Sequence, residues 1–235
     1  MFYSLIFSLF LDLAHSADII IDPGHGGTNF GALSVDGKTL EKDLTLDFSK
    51  ELRSKLEKKG LRAVLTRNDD RFLSLFQRGE IADSYRARCF ISVHFNASPL
   101  HNRTGIEIYH PTEDNGPEIN LITGFVRDGE SFLKRKKSSD QLIVASYIQE
   151  KRKNGFYLKS REFGRKLAWK IIAHGFHVDR IVPGNFDVLF SRNSRAILFE
   201  GGFIDHPVEG RKILKKSYRE KLADSLVHGL LVLCR

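Results

Sequence analysis

Residues 19–27 have the sequence IIIDPGHGG, which predicts a buried β-strand followed by a loop. Three consecutive isoleucines are typical of a strand that is covered on both faces. Pro23 and Gly24 end the strand, because proline cannot donate to a ladder and glycine permits a turn. His25 therefore lies just beyond a strand end, which is where ligands bind in an open α/β sheet.

The rest of the chain alternates between strand and helix patterns. Leu44, Phe48, Leu52 and Leu56 recur every four residues, which predicts a helix over residues 41–59 that begins at Glu41. This alternation favours an α/β fold, with a single twisted, mostly parallel sheet flanked by helices and carrying an inserted helical segment. Further strands are predicted at residues 61–66, 88–95, 105–109, 187–190 and 196–199, and further helices at 74–86, 163–175 and beyond 207.

The inserted segment covers residues 111–159, where the regular alternation stops. Glycines, charge clusters and two short helical patterns, at 119–126 and 139–153, take its place. This change of pattern favours an insertion over the edge of the sheet rather than a second domain. Residues 17–235 are then one catalytic domain.

The first 16 residues are predicted to be a signal peptide. Residues 2–11 form an apolar run that is too short to span a bilayer, and residues 14–16 (Ala-His-Ser) place small residues where a signal peptidase cleaves. No Lys or Arg precedes the run, and the alternative is an N-terminal strand or helix of the fold. Export would place the protein in the periplasm or cell envelope.

The net charge of the chain indicates which kinds of binding partner to expect, and its cysteines bear on how the chain packs. The 235 residues carry a formal net charge of +8, and such a surface favours polyanions. The basic residues are dispersed apart from residues 134–137 and form no nucleic-acid-binding motif, so no nucleic-acid partner is expected. The two cysteines do not form a framework, and Cys89 is predicted to pack as a small hydrophobic residue.

Three polar residues at element ends suggest a metal site. His25 and His94 each follow an apolar strand pattern, and Glu41 opens a helix. Two imidazoles and one carboxylate, with a position left open, are a common ligand set for catalytic Zn²⁺. Glu200 also follows an apolar strand, and a carboxylate beside such a metal can act as general base.

Five ordered motifs resemble a known family. They are IDPGHGG at 21–27, EKDL at 41–44, the set Thr66-Arg67, Ser74-Leu75 and Arg78, SVHFNA at 92–97, and ILFEGGFI at 197–204. With them the chain resembles the zinc-dependent N-acetylmuramoyl-L-alanine amidases of bacterial cell walls, amidase type 3. The resemblance implies that His25, Glu41 and His94 bind zinc and that Glu200 is the catalytic carboxylate. The substrate would be peptidoglycan, cleaved between the lactyl group of N-acetylmuramic acid and L-alanine of the stem peptide.

The resemblance also bears on the inserted segment. Some relatives carry a helix there that covers the zinc until a partner protein pulls it away. Glu130 and Glu150 are the carboxylates expected to reach the metal from this segment. The alternative is an ordinary surface insertion that contacts the substrate or nothing.

Four other residues are candidates for supporting roles. Asp22 and Asn96 are expected either to orient the metal ligands or to cap turns. Arg67 and Arg78 are expected either to support the site or its substrate, or to pin loops through charged hydrogen bonds.

Two alternative functions remain open at this point. Ser131 and Lys134 have the Ser-x-x-Lys spacing of penicillin-sensitive serine carboxypeptidases, and residues 191–193 resemble their Ser-x-Asn element, but no Lys-Thr-Gly occurs. The other alternative is a catalytically idle protein that binds or regulates the wall.

Overall fold

A computed structural model describes residues 16–111, 155–184, 186–189 and 194–235. Within these ranges the strands are β1 (Ile19–Pro23), β2 (Ala63–Leu65), β3 (Cys89–Asn96), β4 (Ile106–His110), β5 (Val178–Pro183) and β6 (Arg195–Phe203). The helices are α1 (Glu41–Lys58), α2 (Leu75–Ser84), α3 (Phe156–Ala173), α4 (Glu209–Ile213) and α5 (Lys216–Leu233), with a 3₁₀ turn at Asp187–Leu189. No helix in the described ranges is long and apolar enough to cross a membrane.

The six strands form one sheet in the order β2-β1-β3-β6-β4-β5. Strands β2, β1, β3 and β6 are parallel to one another, whereas β4 is antiparallel to β6 and parallel to β5. Helices flank this sheet, which confirms the predicted α/β architecture. The carboxyl ends of β1, β3 and β6 therefore meet at one edge, together with the starts of β4 and β5.

Side chains alternate between the two faces of the sheet. One face, called here the helical face, carries Ile21, Ile91 and Phe199 and packs against α1, α3 and α5. The opposite face, called the site face, carries Ile20 and Phe90 and packs against α2 and the 3₁₀ turn. By the same alternation, side chains one residue on from the helical-face positions project from the site face, among them Asp22, His94, Glu107, Tyr109 and Glu200.

Several element boundaries differ from the sequence expectations. Residues 187–190, predicted as a strand, contain the 3₁₀ turn, in which the backbone N–H of Leu189 donates to the carbonyl of Phe186. The sequence pattern missed β5, because this edge strand is largely exposed and shows no apolar alternation. His94 and Glu200 lie within β3 and β6 rather than after them, since both strands continue through polar and glycine residues.

The two cysteines form a disulfide, contrary to the prediction that Cys89 would be a free packing residue. The bond joins the start of β3 to Cys234 at the end of α5, with Cα atoms 5.7 Å apart. The cysteines are 145 residues apart in sequence, so local patterns carry no signal for the pairing.

Residues 1–15 of the predicted signal peptide and residues 112–154 of the predicted insertion lie outside the described residues. Residues 156–159, assigned to the end of that insertion, are the first turn of α3.

Candidate metal centre

His25, Glu41 and His94 come together at the carboxyl edge of the sheet. His25 lies in the loop after β1 with φ 59°, Glu41 is the first residue of α1, and His94 belongs to β3. Glycine is required beside them, because a Cβ atom at Gly24 would lie 2.3 Å from the His94 ring. The loop can therefore pass close to the imidazole only without a side chain.

The donor atoms of these residues converge on one point. Glu41 Oε2 lies 2.9 Å from His25 Nε2, and Glu41 Oε1 lies 3.0 Å from His94 Nδ1. All three ligand atoms lie within 4.8 Å of one another, and among the described residues this is the one group of three that could hold a metal ion. The set of two imidazoles and a carboxylate fits Zn²⁺ with an open coordination position.

Further contacts fix the orientation of these ligands. The backbone N–H groups of Phe95 and Ala32 donate to the two oxygens of Glu41 at 3.1 and 2.9 Å. Asn29 Oδ1 lies 2.8 Å from His25 Nδ1, so this side chain leaves Nε2 directed at the ligand point. Sequence reasoning missed Asn29, which falls in no recognisable motif and is recognised only by its contact.

The contacts among His25, Glu41 and His94 influence the ionisation of His25 and Glu41. Burial is the largest single influence on His25 and opposes its charged form, but the hydrogen bond and negative charge of Glu41, together with the hydrogen bond to Asn29, outweigh it and raise the pKa of His25. Burial likewise disfavours an ionised Glu41, yet hydrogen bonds from His25 and His94 hold the pKa of Glu41 well below its usual range. The Glu41 carboxylate is thus ionised, and a metal ion bound here would displace protons from the imidazole nitrogens that face it.

Glu200 lies beside this group on the site face. In the β3–β6 ladder its Cα pairs with that of His94, and in the β4–β6 ladder it pairs with Glu107. Its Oε2 atom is buried and has no hydrogen-bond partner among the described residues. Burial, followed by the charges of Glu41 and Glu107, raises the pKa of Glu200 well above the ordinary value. A buried carboxylate oxygen without a partner is uncommon, and a proton, water or cation would satisfy it.

A second carboxylate, Glu107, is fully buried next to Glu200 and was missed in the sequence. Asn96 and Tyr109 donate to its Oε2 at 2.7 and 2.6 Å, and Arg180 Nε lies 2.9 Å from its Oε1. Arg103 also donates to Oε1. Asn96 therefore contacts Glu107 rather than a metal ligand.

Around the loop that carries His25, Arg67 and Arg78 donate hydrogen bonds to backbone carbonyls, and Asp22 pairs with Arg78. Arg78 donates to Asp22 Oδ1 at 2.8 Å and to the carbonyls of Pro23 and His25 at 2.7 Å each. Arg67 donates to the carbonyls of Pro23 and Gly24 at 3.0 and 2.7 Å. Both arginines thus bind the backbone of the loop, and Asp22 accepts hydrogen bonds from Thr66 and Ser92 as well as from Arg78.

The remaining candidates cannot be placed. Ser131, Lys134, Glu130 and Glu150 lie outside the described residues, as do residues 191–193 of the Ser-x-Asn pattern.

Comparison with known proteins gives a consistent result. The sequence model of the family Amidase_3, described as N-acetylmuramoyl-L-alanine amidase, matches residues 19–231. The probable N-acetylmuramoyl-L-alanine amidase AmiB of Haemophilus influenzae is 29% identical over 97% of this chain and 54% of its own length. The amidase AmiC of Escherichia coli is 26% identical over 90% of this chain and 51% of its length. The chain thus spans about half the length of these curated relatives.

Among solved structures, an N-acetylmuramoyl-L-alanine amidase from Clostridium difficile superimposes with a TM-score of 0.69. It is 28% identical, and the match covers 93% of this chain and 96% of that one.

Proposed function

The chain belongs to the Amidase_3 family of N-acetylmuramoyl-L-alanine amidases, and from this premise we propose that it is a zinc-dependent peptidoglycan hydrolase. It would cleave the amide between N-acetylmuramic acid and L-alanine of the stem peptide. The observation that carries the proposal is the convergence of His25, Glu41 and His94 beside a buried Glu200 oxygen that has no hydrogen-bond partner in the described part of the chain. The names of the curated relatives support the same reaction.

His25, Glu41 and His94 would hold the zinc ion through Nε2, a carboxylate oxygen and Nδ1. Zinc bound there would supply a Lewis acid that polarises the scissile carbonyl and lowers the pKa of water, so that a nucleophile is available near neutral pH. Phe95 N–H and Asn29 keep the Glu41 and His25 side chains in place for that role.

Glu200 would move the proton. The pKa of Glu200 is raised and so lies closer to neutral pH than that of an ordinary glutamate, which suits a group that both accepts and returns a proton. As water attacks the carbonyl carbon, Glu200 Oε2 accepts a proton from it. As the carbon–nitrogen bond breaks, the same oxygen returns the proton to the nitrogen of the departing L-alanine, and Glu200 is regenerated.

Export and regulation remain parts of the proposal. We place the protein in the periplasm or cell envelope, where its substrate lies, with residues 1–16 as the export signal. An activator protein acting on the segment near Glu130 and Glu150 would regulate access to the metal.

The test is digestion of purified peptidoglycan, followed by mass analysis of the fragments. We expect free lactyl carboxyl groups on muramic acid and new L-alanine amino termini, with loss of both in a chelator and recovery on adding Zn²⁺. Glu200→Gln should reduce the rate by roughly 10²-fold or more, the scale of a lost general base, without loss of zinc. The matched control is Glu57→Gln, which removes an exposed carboxylate of α1 that lies 3.9 Å from Arg53.

Three results would contradict the proposal. Turnover of Glu200→Gln near that of wild type would assign the proton transfer to another group. Fragments shortened at the D-alanine end, with covalent labelling of Ser131 by a β-lactam, would instead identify the serine carboxypeptidase. Binding to peptidoglycan without any new fragment would identify the idle wall-binding protein.

A further inference from the structure

The outer face of α3 combines exposed apolar side chains with a border of basic ones. Leu158, Trp169 and Ile172 are exposed by 58%, 69% and 48%, although the inner side of the same helix is fully packed. At 100° per residue, these three side chains project within about 60° of one another, so they form one strip along the helix.

Basic residues flank this strip on both sides. On the helical wheel Arg161 lies on one side of it and Lys159, Lys166 and Lys170 lie on the other, all of them exposed. Arg165 lies within the strip, so the helix carries five basic residues against a single carboxylate, Glu162, which pairs with Lys166 at 2.7 Å.

We propose that the outer face of α3 docks the protein on an anionic lipid surface. Leu158, Trp169 and Ile172 would enter the boundary between headgroups and acyl chains, where tryptophan is favoured. The flanking lysines and arginines would extend to the headgroups, with their aliphatic stems along the apolar strip. A soluble polyanion would use the same cations but gives no reason for an exposed apolar strip between them.

The topology gives this docking a definite orientation. α3 packs on the helical face of the sheet through Phe163, Leu167 and Ile171, and only its first turn, Phe156 and Tyr157, reaches the site-face cluster. His94 and Glu200 project from the site face at the carboxyl edge of their strands. A protein lying on a membrane through α3 therefore directs the candidate metal centre away from the lipid. The proposed peptidoglycan substrate would approach from that side, but the docking itself does not depend on the amidase reaction.

The chain offers an internal reporter, because Trp169 is its single tryptophan. The full chain carrying Glu200→Gln would be titrated with vesicles of phosphatidylcholine alone and with vesicles of equal phosphatidylcholine and phosphatidylglycerol. We expect a blue shift of the Trp169 emission with the anionic vesicles only, and quenching when the lipids are brominated in the upper acyl chain. An inactive variant is used so that failure of docking and failure of the proposed hydrolysis are separate results.

Variants in the same full chain assign the binding to α3. Lys166→Gln/Lys170→Gln should weaken vesicle binding roughly 25-fold, at about five-fold for each basic side chain near the surface. Ile172→Ser should weaken it roughly ten-fold through lost apolar insertion. The control Lys38→Gln/Arg71→Gln removes two exposed charges that lie outside α3 and should leave binding within about two-fold of the parent.

Three outcomes would overturn the proposal, provided that each variant melts cooperatively like its parent. The first is the absence of a blue shift with anionic vesicles. The second is equal weakening by the control pair and the α3 pair, which would place the contact elsewhere. The third is salt-sensitive binding of soluble poly-L-glutamate as tight as that of vesicles with unchanged Trp169 emission, which would make the face a polyanion site.

Discussion

The buried pair of Arg78 and Asp22 should govern both folding and zinc binding, and replacing Arg78 by Met tests this. The side chains of Arg78 and Asp22 are only 4% and 1% exposed, and Arg78 also holds the carbonyls of Pro23 and His25. Arg78→Met leaves a buried carboxylate without its counter-ion, which costs about 3–5 kcal/mol of unfolding free energy. His25 loses the anchor of its backbone, so zinc affinity should fall about 10–100-fold, as it does when groups that orient a ligand are removed.

Matched variants separate charge from geometry. Arg78→Lys keeps the positive charge but cannot reach both carbonyls and Asp22, so we expect a cost of roughly 1–3 kcal/mol with weaker zinc binding. Asp22→Asn/Arg78→Met removes both charges and should be more stable than Arg78→Met alone, because no unpaired charge is left. Arg71→Met is the control, since Arg71 is 56% exposed in its pair with Asp69 and should contribute less than about 1 kcal/mol.

The assays are urea unfolding of the metal-free protein and competition with a fluorescent zinc chelator. Additive costs in the cycle of the two single variants and the double variant would show that the two side chains do not act as a pair. A large loss of stability with unchanged zinc affinity would confine Arg78 to the fold and refute its role in positioning His25.

Three further predictions concern the other parts of the fold and site. Because burial raises the pKa of Glu200 in the folded chain, ionisation of this group should destabilise the metal-free wild type as pH rises above about 4.5. By calorimetry, Glu200→Gln should therefore melt higher than wild type at pH 8 but not at pH 4. Equal melting temperatures at pH 8 would contradict this. Cys234→Ser should lower the unfolding free energy by about 5 kcal/mol, the chain-entropy value for a bridge spanning 145 residues, and reduced wild type should match it; a loss seen only in the variant would point to packing. His25→Ala and His94→Ala should retain no stoichiometric zinc after dialysis, by elemental analysis, and full occupancy in both would mean that the ligands are wrong.

Local patterns were sufficient where burial and periodicity agree. The apolar run of β1 and the four-residue repeat of α1 predicted both elements and placed Glu41 in the first helical turn. The resemblance then supplied the roles of the four polar residues at this edge. The structure shows in addition that these residues lie close together, although the loop residue His25 and the strand residue His94 are 69 residues apart in sequence.

Features that depend on tertiary packing could not be predicted. Glu107 has an ordinary place in an alternating strand, and only the fold brings Asn96, Arg103 and Arg180 to its carboxylate. The Cys89–Cys234 bridge likewise depends on α5 reaching the start of β3. An edge strand such as β5 lacks the two-sided burial that makes a buried strand visible in sequence.

The placement of Glu200 depends on the register of β6. A slip of one residue would move its side chain to the helical face and bring Phe199 beside His94. Gly201 supports the observed register, because a Cβ atom there would lie 2.6 Å from the ring of Phe95, the residue whose N–H holds Glu41. The strand that carries the proposed base is thus packed tightly against the strand that carries a proposed ligand.

In this register the carboxylates of Glu41, Glu200 and Glu107 lie in a row, and they differ in the positively charged or hydrogen-bonding groups that face them. Glu41 is bonded by His25 and His94 at one end, and Glu107 is bonded by Arg103 and Arg180 at the other. Glu200 lies between them, and its buried Oε2 atom has no partner among the described residues. Because the negative charges of Glu41 and Glu107 on either side oppose its ionisation, the Glu200 carboxyl group is stabilised either by a cation bound near His25 or by taking up a proton. In the proposed mechanism, the middle carboxylate is therefore the group that would exchange a proton with substrate and water.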